Sequence, residues 1–257
     1  MAEPCPRCGY RRLSTDVHVV EGVCPACGIA IEKWLKRQQQ SVGHNESETE
    51  PQEMRVSATR LLSIRTFREL FLSVPDKVDA VSFFGRCAIY VLLFFWGCSF
   101  LMNGLAWEGI MNSFMHNINL PFHEFGHFLF QPFGRFMMIL GGSLFQVLFP
   151  FILCLIFSLK QRDNFAASVM LWWCGQSYID LSPYIADATY RGLPLILGMG
   201  ESAHDWGNLL RMTDMLEYDY IIARGSFLLG AALMLLSFIW GAYLLYRQYR
   251  GFENRLI

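Results

Sequence analysis

Four stretches of the chain, at about 84–106, 139–159, 165–189 and 220–246, run apolar with few charges for the ~20 residues a helix needs to cross a bilayer core. A fifth stretch, about 113–135, is weaker. His116, Asn117, Asn119 and Pro121 interrupt it, and it carries the run His123-Glu124-Phe125-Gly126-His127. Polar groups at that density are costly in lipid unless they face protein, a cavity or a metal, so this stretch is expected to be a partly inserted helix rather than a full span. Upstream, Leu61, Leu62, Ile64, Phe67, Leu70 and Phe71 recur at helical spacing among Arg60, Arg65 and Arg68. That pattern fits a basic amphipathic helix over 57–80 lying on an anionic leaflet, or a plain linker helix. Residues 38–56 are polar and acidic with no apolar period, which predicts a disordered linker in which His44 is solvated. The expected fold is therefore an all-α polytopic membrane protein, with four spans and one partly inserted helix over 81–257, preceded by a small N-terminal module over 1–37.

Composition supports the membrane class: 53% hydrophobic and 15% aromatic residues exceed what a soluble core requires. A net charge of -1 leaves no global field for a nucleic-acid partner, so none is expected. Position matters more than the sum. If the weak stretch does not cross, the N-terminal arginines, Lys160, Arg162, Arg247, Arg250 and Arg255 fall on one side, as the positive-inside tendency asks. No apolar leader precedes the first cysteines, which predicts a cytosolic N-terminus, with the cell membrane as the favoured location. The tryptophans, among them Trp96, Trp107, Trp172, Trp173 and Trp240, read as membrane anchors and packing groups.

The eight cysteines fall into two sets. Cys87, Cys98, Cys154 and Cys174 sit in apolar runs and behave as small hydrophobes. Cys5-Pro-Arg-Cys8-Gly and Cys24-Pro-Ala-Cys27-Gly repeat one short turn, which predicts a closed four-thiolate zinc site in a segment too short to fold on apolar burial alone. A redox dithiol is the alternative. The spacing resembles zinc-ribbon modules, which implies a structural Zn²⁺ held by Cys5, Cys8, Cys24 and Cys27.

His123 and His127 are four apart, so on a helix both imidazoles leave one face and can share a metal, while Glu124 can reach a metal-bound water as general base. A buried polar helix contact or a surface helix is the plainer alternative. The run resembles the first signature of the site-2 protease family of intramembrane zinc metalloproteases. Gly141-Gly142-Ser143-Leu144-Phe145-Gln146 is similar to a diverged copy of that family's Gly-Pro loop. Asp180-Leu181-Ser182-Pro183-Tyr184-Ile185-Ala186-Asp187-Ala188 is similar to its second signature, but with Asp for Asn, the second Asp one place early and Ala for Gly. The resemblance implies a catalytic zinc on His123, His127 and Asp187. Asp180, seven residues earlier and on nearly the same helical face, could instead be the ligand or could orient a histidine. His204 and Asp205 are further alternatives, and they also read as a cluster at the start of a helix. Pro183 is expected to break its helix and open backbone groups to a cavity. His116 reads as an interfacial residue, with a substrate-facing role as the alternative.

Together these features imply a membrane-embedded zinc metalloprotease that cuts a peptide bond in a membrane or membrane-adjacent substrate. Its cofactors are one catalytic and one structural Zn²⁺, and its ribbon is available to a cytosolic partner. Two other classes stay open: a non-catalytic metal-binding membrane scaffold or adaptor, and a metal transporter. Transport would need ligands through several spans, whereas these cluster at one level.

Overall fold

The computed structural model describes residues 3–45, 66–75, 79–193 and 203–253. The chain divides into two compact units, Met1–Arg65 and Thr66–Ile257. Among the described residues all regular structure is helical, apart from an isolated antiparallel bridge between Val23 and Ala30.

The first unit is built on two copies of one turn. In the first, Cys5 N–H donates to Tyr10 O and Gly9 N–H to Cys5 O; in the second, Cys24 N–H donates to Ile29 O and Gly28 N–H to Cys24 O. Gly9 and Gly28 close these turns at φ 73° and 69°, where a side chain would be strained. Helix α1, Ile31–Asn45, follows directly. It runs through Gln38, Gln39 and Gln40, which composition assigned to a disordered linker; Gln is a good helix former, and the helix started by the apolar residues before it simply continues. The rest of that linker, 46–56, lies outside the described residues, as do 57–65 and 76–78 of the expected amphipathic helix, of which 66–71 is helical.

The second unit begins its long helices with α2, Ala80–Asn103, capped by Asp79, whose carboxylate accepts from Ser82 N–H at 2.8 Å. A short helix α3, Trp107–Met111, leads to α4, Phe114–Phe130, which starts at Ser113 and carries the His-Glu run. One tight turn, Gln131–Phe133, reverses the chain into α5, Arg135–Leu155, which continues as a wider π turn over Ile156–Gln161. Then come α6, Asn164–Ala186, the short α7, Asp205–Met212, and α8, Asp219–Glu253.

Among the described residues, three segments are long and apolar enough to cross a membrane: Ala80–Asn103, Arg135–Gln161 and Leu216–Gly251. The stretch expected as a further span folds as α6, which has the length but less apolar character. The reason lies in its surroundings. Gln176, Ser177, Asp180 and Ser182 are all buried, because α6 packs against protein on several sides and its polar residues find partners there. The outer helices show the opposite pattern, turning Val81, Phe84, Leu92, Phe95 and Ile239 outward.

Glycines set the closest helix approaches. A Cβ on Gly175 would lie 2.7 Å from Gly230 O, which binds α6 to α8, and one on Gly141 would lie 2.7 Å from Gly126 O, which binds α5 to α4. At one end of the unit, Arg86 pairs with Asp163 at 2.9 Å and Asn164 Nδ2 donates to Leu70 O and Ser73 O. Phe83 meets Tyr249 there as well. These contacts gather the start of α2, the α5–α6 turn with Lys160 and Arg162, and the last turns of α8 with Arg247 and Arg250 at that end.

Candidate metal centres

In the first unit the repeated turns bring Cys5, Cys8, Cys24 and Cys27 together, with Cys5 Sγ 3.7 Å from Cys27 Sγ and Cys8 Sγ 3.6 Å from Cys24 Sγ. The separations are far longer than a disulfide and close to the ~3.8 Å edge of a tetrahedron with metal–sulfur bonds of about 2.3 Å. Burial pushes the Cys5 thiol up, but the backbone N–H groups of Cys8 and Arg7 and its sulfur neighbours outweigh this and draw it down to about 6. The cluster could hold a metal ion.

In the second unit, α4 presents His123 and His127 one turn apart, their ring centroids separated by 4.9 Å. The two Nε2 atoms lie 3.0 and 3.2 Å from a single oxygen, Oδ2 of Asp205. Asp205 is the first residue of α7, and His204 caps that helix by accepting the Gly207 N–H on Nδ1. Tyr184 Oη accepts the Asp205 N–H at 2.8 Å. Burial pushes the Asp205 carboxyl up, but the two histidine rings beside it outweigh this and hold the group at about 2.

The other ring nitrogens decide what this cluster can do. His127 Nδ1 faces Met138 O at 2.9 Å, and a carbonyl can only accept, so Nδ1 carries the proton. His123 Nδ1 faces Gln146 Oε1 at 3.0 Å. The orientation of that amide is fixed by its other end, where Gln146 Nε2 donates to Asp180 Oδ2 at 2.9 Å. A neutral imidazole protonated on Nδ1 has a bare lone pair on Nε2. Two such lone pairs and a carboxylate oxygen converging on one point require a cation between them, either protons or a metal. The spacings match the ~3.3 Å edge of a tetrahedron with bonds of about 2.0–2.1 Å.

A cavity of about 260 Å³ adjoins the cluster, and Glu124 lines it beside both histidines. Gly142 borders the same point: a Cβ there would lie 2.6 Å from Nε2 of His127 and 2.7 Å from Nε2 of His123. A side chain of any size would fill the space in front of the two lone pairs.

The third acidic partner differs from the expectation. Asp187, which the family resemblance favoured, follows the end of α6 and turns away, accepting Gly192 N–H at 3.0 Å and Leu193 N–H at 2.9 Å. Its nearest imidazole is the fully buried His204, whose Nε2 is 3.4 Å away. Asp180 takes no ligand position; it accepts from Gln146 and Asn119 and faces His116 Nδ1 at 3.1 Å, so it orients His123 through Gln146. Asp205 stands at the start of α7 with His204 as its cap and also beside both rings, so its position is compatible with the helix-start reading and the site reading alike. Pro183 does not break α6: it has no N–H for Ile179 O, and the Ser182 hydroxyl donates to that carbonyl instead at 2.6 Å. Gly141 and Gly142 form no loop; they are part of α5, where they permit close helix contact and space at the rings.

Gln146, Tyr184 and Asn119 gain site-supporting roles that spacing alone did not assign. Gln146 carried a usable signal, as an amide in the middle of an apolar span needs a partner. Asn119 is held by Trp173 Nε1 at 2.8 Å and donates to both Gln176 and Asp180. The fold and site thus define a helical, membrane-type chain with one four-sulfur cluster and one His-His-Asp cluster that could each hold a metal. Comparison of the chain with protein-family models, curated proteins and solved structures finds no match.

Proposed function

We propose that the chain is a membrane-embedded zinc metalloprotease, in which four helices cross the bilayer, α4 inserts partway, and the N-terminal four-cysteine module is a zinc ribbon on the cytosolic side. The observation that carries this reading is that both histidines commit Nδ1 to an internal acceptor and bring Nε2 to one oxygen of Asp205 beside a cavity containing Glu124. His123, His127 and Asp205 would hold the metal, and the cavity beside them would admit a substrate. When bound there, zinc would supply Lewis acidity toward a water and a carbonyl. Glu124 takes the water's proton as its oxygen adds to the carbonyl carbon, then delivers that proton to the leaving amine as the C–N bond breaks. Gln146 and the Met138 carbonyl keep both rings aimed throughout, and Tyr184 steadies Asp205. Basic residues gathered at one end of the unit favour that end as the cytosolic, anionic-lipid side.

The decisive comparison is Glu124→Gln against wild type, with zinc per chain and cleavage of a panel of transmembrane peptides measured together. The variant should keep the wild-type zinc content and lose about two to four powers of ten in hydrolysis. A wild-type chain that binds zinc only through its cysteines would refute the reading. A chain that holds zinc at both clusters yet cleaves nothing, with or without Glu124, would be a metal-stabilised scaffold.

A further inference from the structure

The His-His-Asp cluster and the basic end of the second unit lie at opposite ends of the same helices. Helix α5 sets Gly142 against both rings near its start, and the segment closes at Gln161, a rise of roughly 28 Å further on. Helix α6 runs from Asn164 at the basic end to Tyr184 beside Asp205, a rise of roughly 30 Å. The hydrocarbon core of a bilayer is ~30 Å thick. The cluster therefore stands about one core thickness away from Lys160 and Arg162.

Surface aromatics mark the same two levels. Tyr246 and Tyr249 are exposed beside Arg247 and Arg250, while Tyr218 and Tyr220 are exposed where α8 begins. Tyr220 and Tyr246 are roughly 39 Å apart along the helix, which suits rings seated in the two headgroup layers. The cluster is near the first of these rings. Trp206, next to Asp205, packs in one apolar group with Ile185 and Ala223, and Ala223 lies less than one turn beyond Tyr220. The Thr189 hydroxyl donates to Asp219 at 2.6 Å, which ties the end of α6 to the start of α8 at that level. His127 and Asp205 are only partly buried there. Basic residues choose the side. Lys and Arg occur twice in 66–79, once at Arg86, twice around the α5–α6 turn and three times in 247–255. The cluster end has Arg135, Arg191, Arg211 and Arg224, with Asp214, Glu217 and Asp219 among them. The denser end is the cytosolic one by the positive-inside tendency.

We propose that the His-His-Asp centre works at the extracytosolic boundary of the membrane: it exchanges its metal with that side, and the bond it acts on lies at the extracytosolic end of a substrate's span. This deepens the protease reading and rests on it. A site within one or two turns of the headgroups draws water from the adjacent aqueous phase, whereas a bond at the cytosolic boundary is a core thickness out of reach of Glu124.

The test places the full-length chain in a bacterial host and compares spheroplasts with inverted membrane vesicles. An impermeant maleimide polymer adds one mass step per accessible cysteine. Tyr190→Cys, at an exposed position just past α6, should gain its step in spheroplasts, and Gln161→Cys, exposed at the basic end, only in inverted vesicles. The reverse pattern, or equal tagging from both sides, overturns the proposal. Zinc is then counted per captured chain after EDTA, which does not cross the membrane, on a background of Cys5→Ser with Cys24→Ser. Zinc should be lost from spheroplasts and kept in inverted vesicles, and loss from inverted vesicles alone overturns the proposal. Transmembrane substrates co-inserted in a known orientation should be cut within about two helical turns, ~11 Å, of the extracytosolic boundary. Cuts at the cytosolic boundary overturn the proposal. A chain with the expected tags but no zinc in either preparation overturns the metal-site reading, and one with the expected tags and zinc that cuts nothing overturns the protease reading.

Discussion

Gly142→Ala tests the metal centre with the smallest available perturbation, one methyl group. The new carbon would sit 2.6 Å from Cε1 and Nε2 of His127 and 2.7 Å from Nε2 of His123. Carbon contacts relax near 3.5 Å, so both rings, or α5 itself, must retreat by roughly 1 Å. The rings resist, because Gln146 and the Met138 carbonyl hold their Nδ1 atoms. Helix α5 resists as well, because Gly141 is already against Gly126 and Phe130. Overpacking of this kind costs about 1–3 kcal/mol of stability. Metal–ligand distances tolerate only about 0.2 Å, so a displacement of 1 Å should weaken zinc binding by two powers of ten or more. The assay is zinc per chain under buffered zinc, on a background of Cys5→Ser with Cys24→Ser so that only the His-His-Asp cluster is counted. Gly85→Ala is the control, since nothing lies within 4 Å of a Cβ at that helical position. Unchanged zinc affinity in Gly142→Ala, with the control also unchanged, would refute convergence of the two Nε2 atoms on a metal in front of Gly142.

On the same background, Asp205→Asn should lose zinc as a ligand variant does, whereas Asp187→Asn should keep it and instead lower the thermal midpoint, because two backbone N–H groups lose a charged acceptor worth about 1.5–3 kcal/mol each; the reverse pattern would restore Asp187 as the ligand. Gln146→Leu preserves bulk but frees His123 Nδ1 and removes a donor from Asp180, so zinc affinity should fall about ten- to a hundredfold, and an unaltered affinity would argue that the ring needs no such support. In the first unit, the peptide of residues 1–37 should become ordered on adding one equivalent of zinc, seen by amide dispersion in NMR, and Cys5→Ser with Cys24→Ser should abolish it.

Features that depend on neighbours in sequence were legible from the chain alone. The paired Cys-x-x-Cys-Gly turns are local objects: each positions two sulfurs and a positive-φ glycine within five residues, so the repeat announced the cluster. The His123, Glu124, His127 set was legible for the same reason, since a single helical turn fixes their common face. Long apolar runs likewise revealed α2, α5 and α8, because lipid-length burial leaves its mark on every residue. What the sequence left open was the third acidic group, and the reason is geometric. Asp180, Asp187 and Asp205 are the same residue type, one inside α6, one just past its end and one at the start of α7. Their roles separate only when α6 stops at Ala186, turning Asp187 back onto its own loop, and when α7 starts at a point that sets Asp205 against both rings. The polar character of α6 was also beyond sequence reasoning, for its buried amides and carboxylate are affordable only where Asn119, Gln146 and His116 arrive from other helices to meet them. Local patterns encode which groups a turn or helix face presents; which distant group meets them depends on where helices end and how closely glycines let them pack, and that is decided by the tertiary structure.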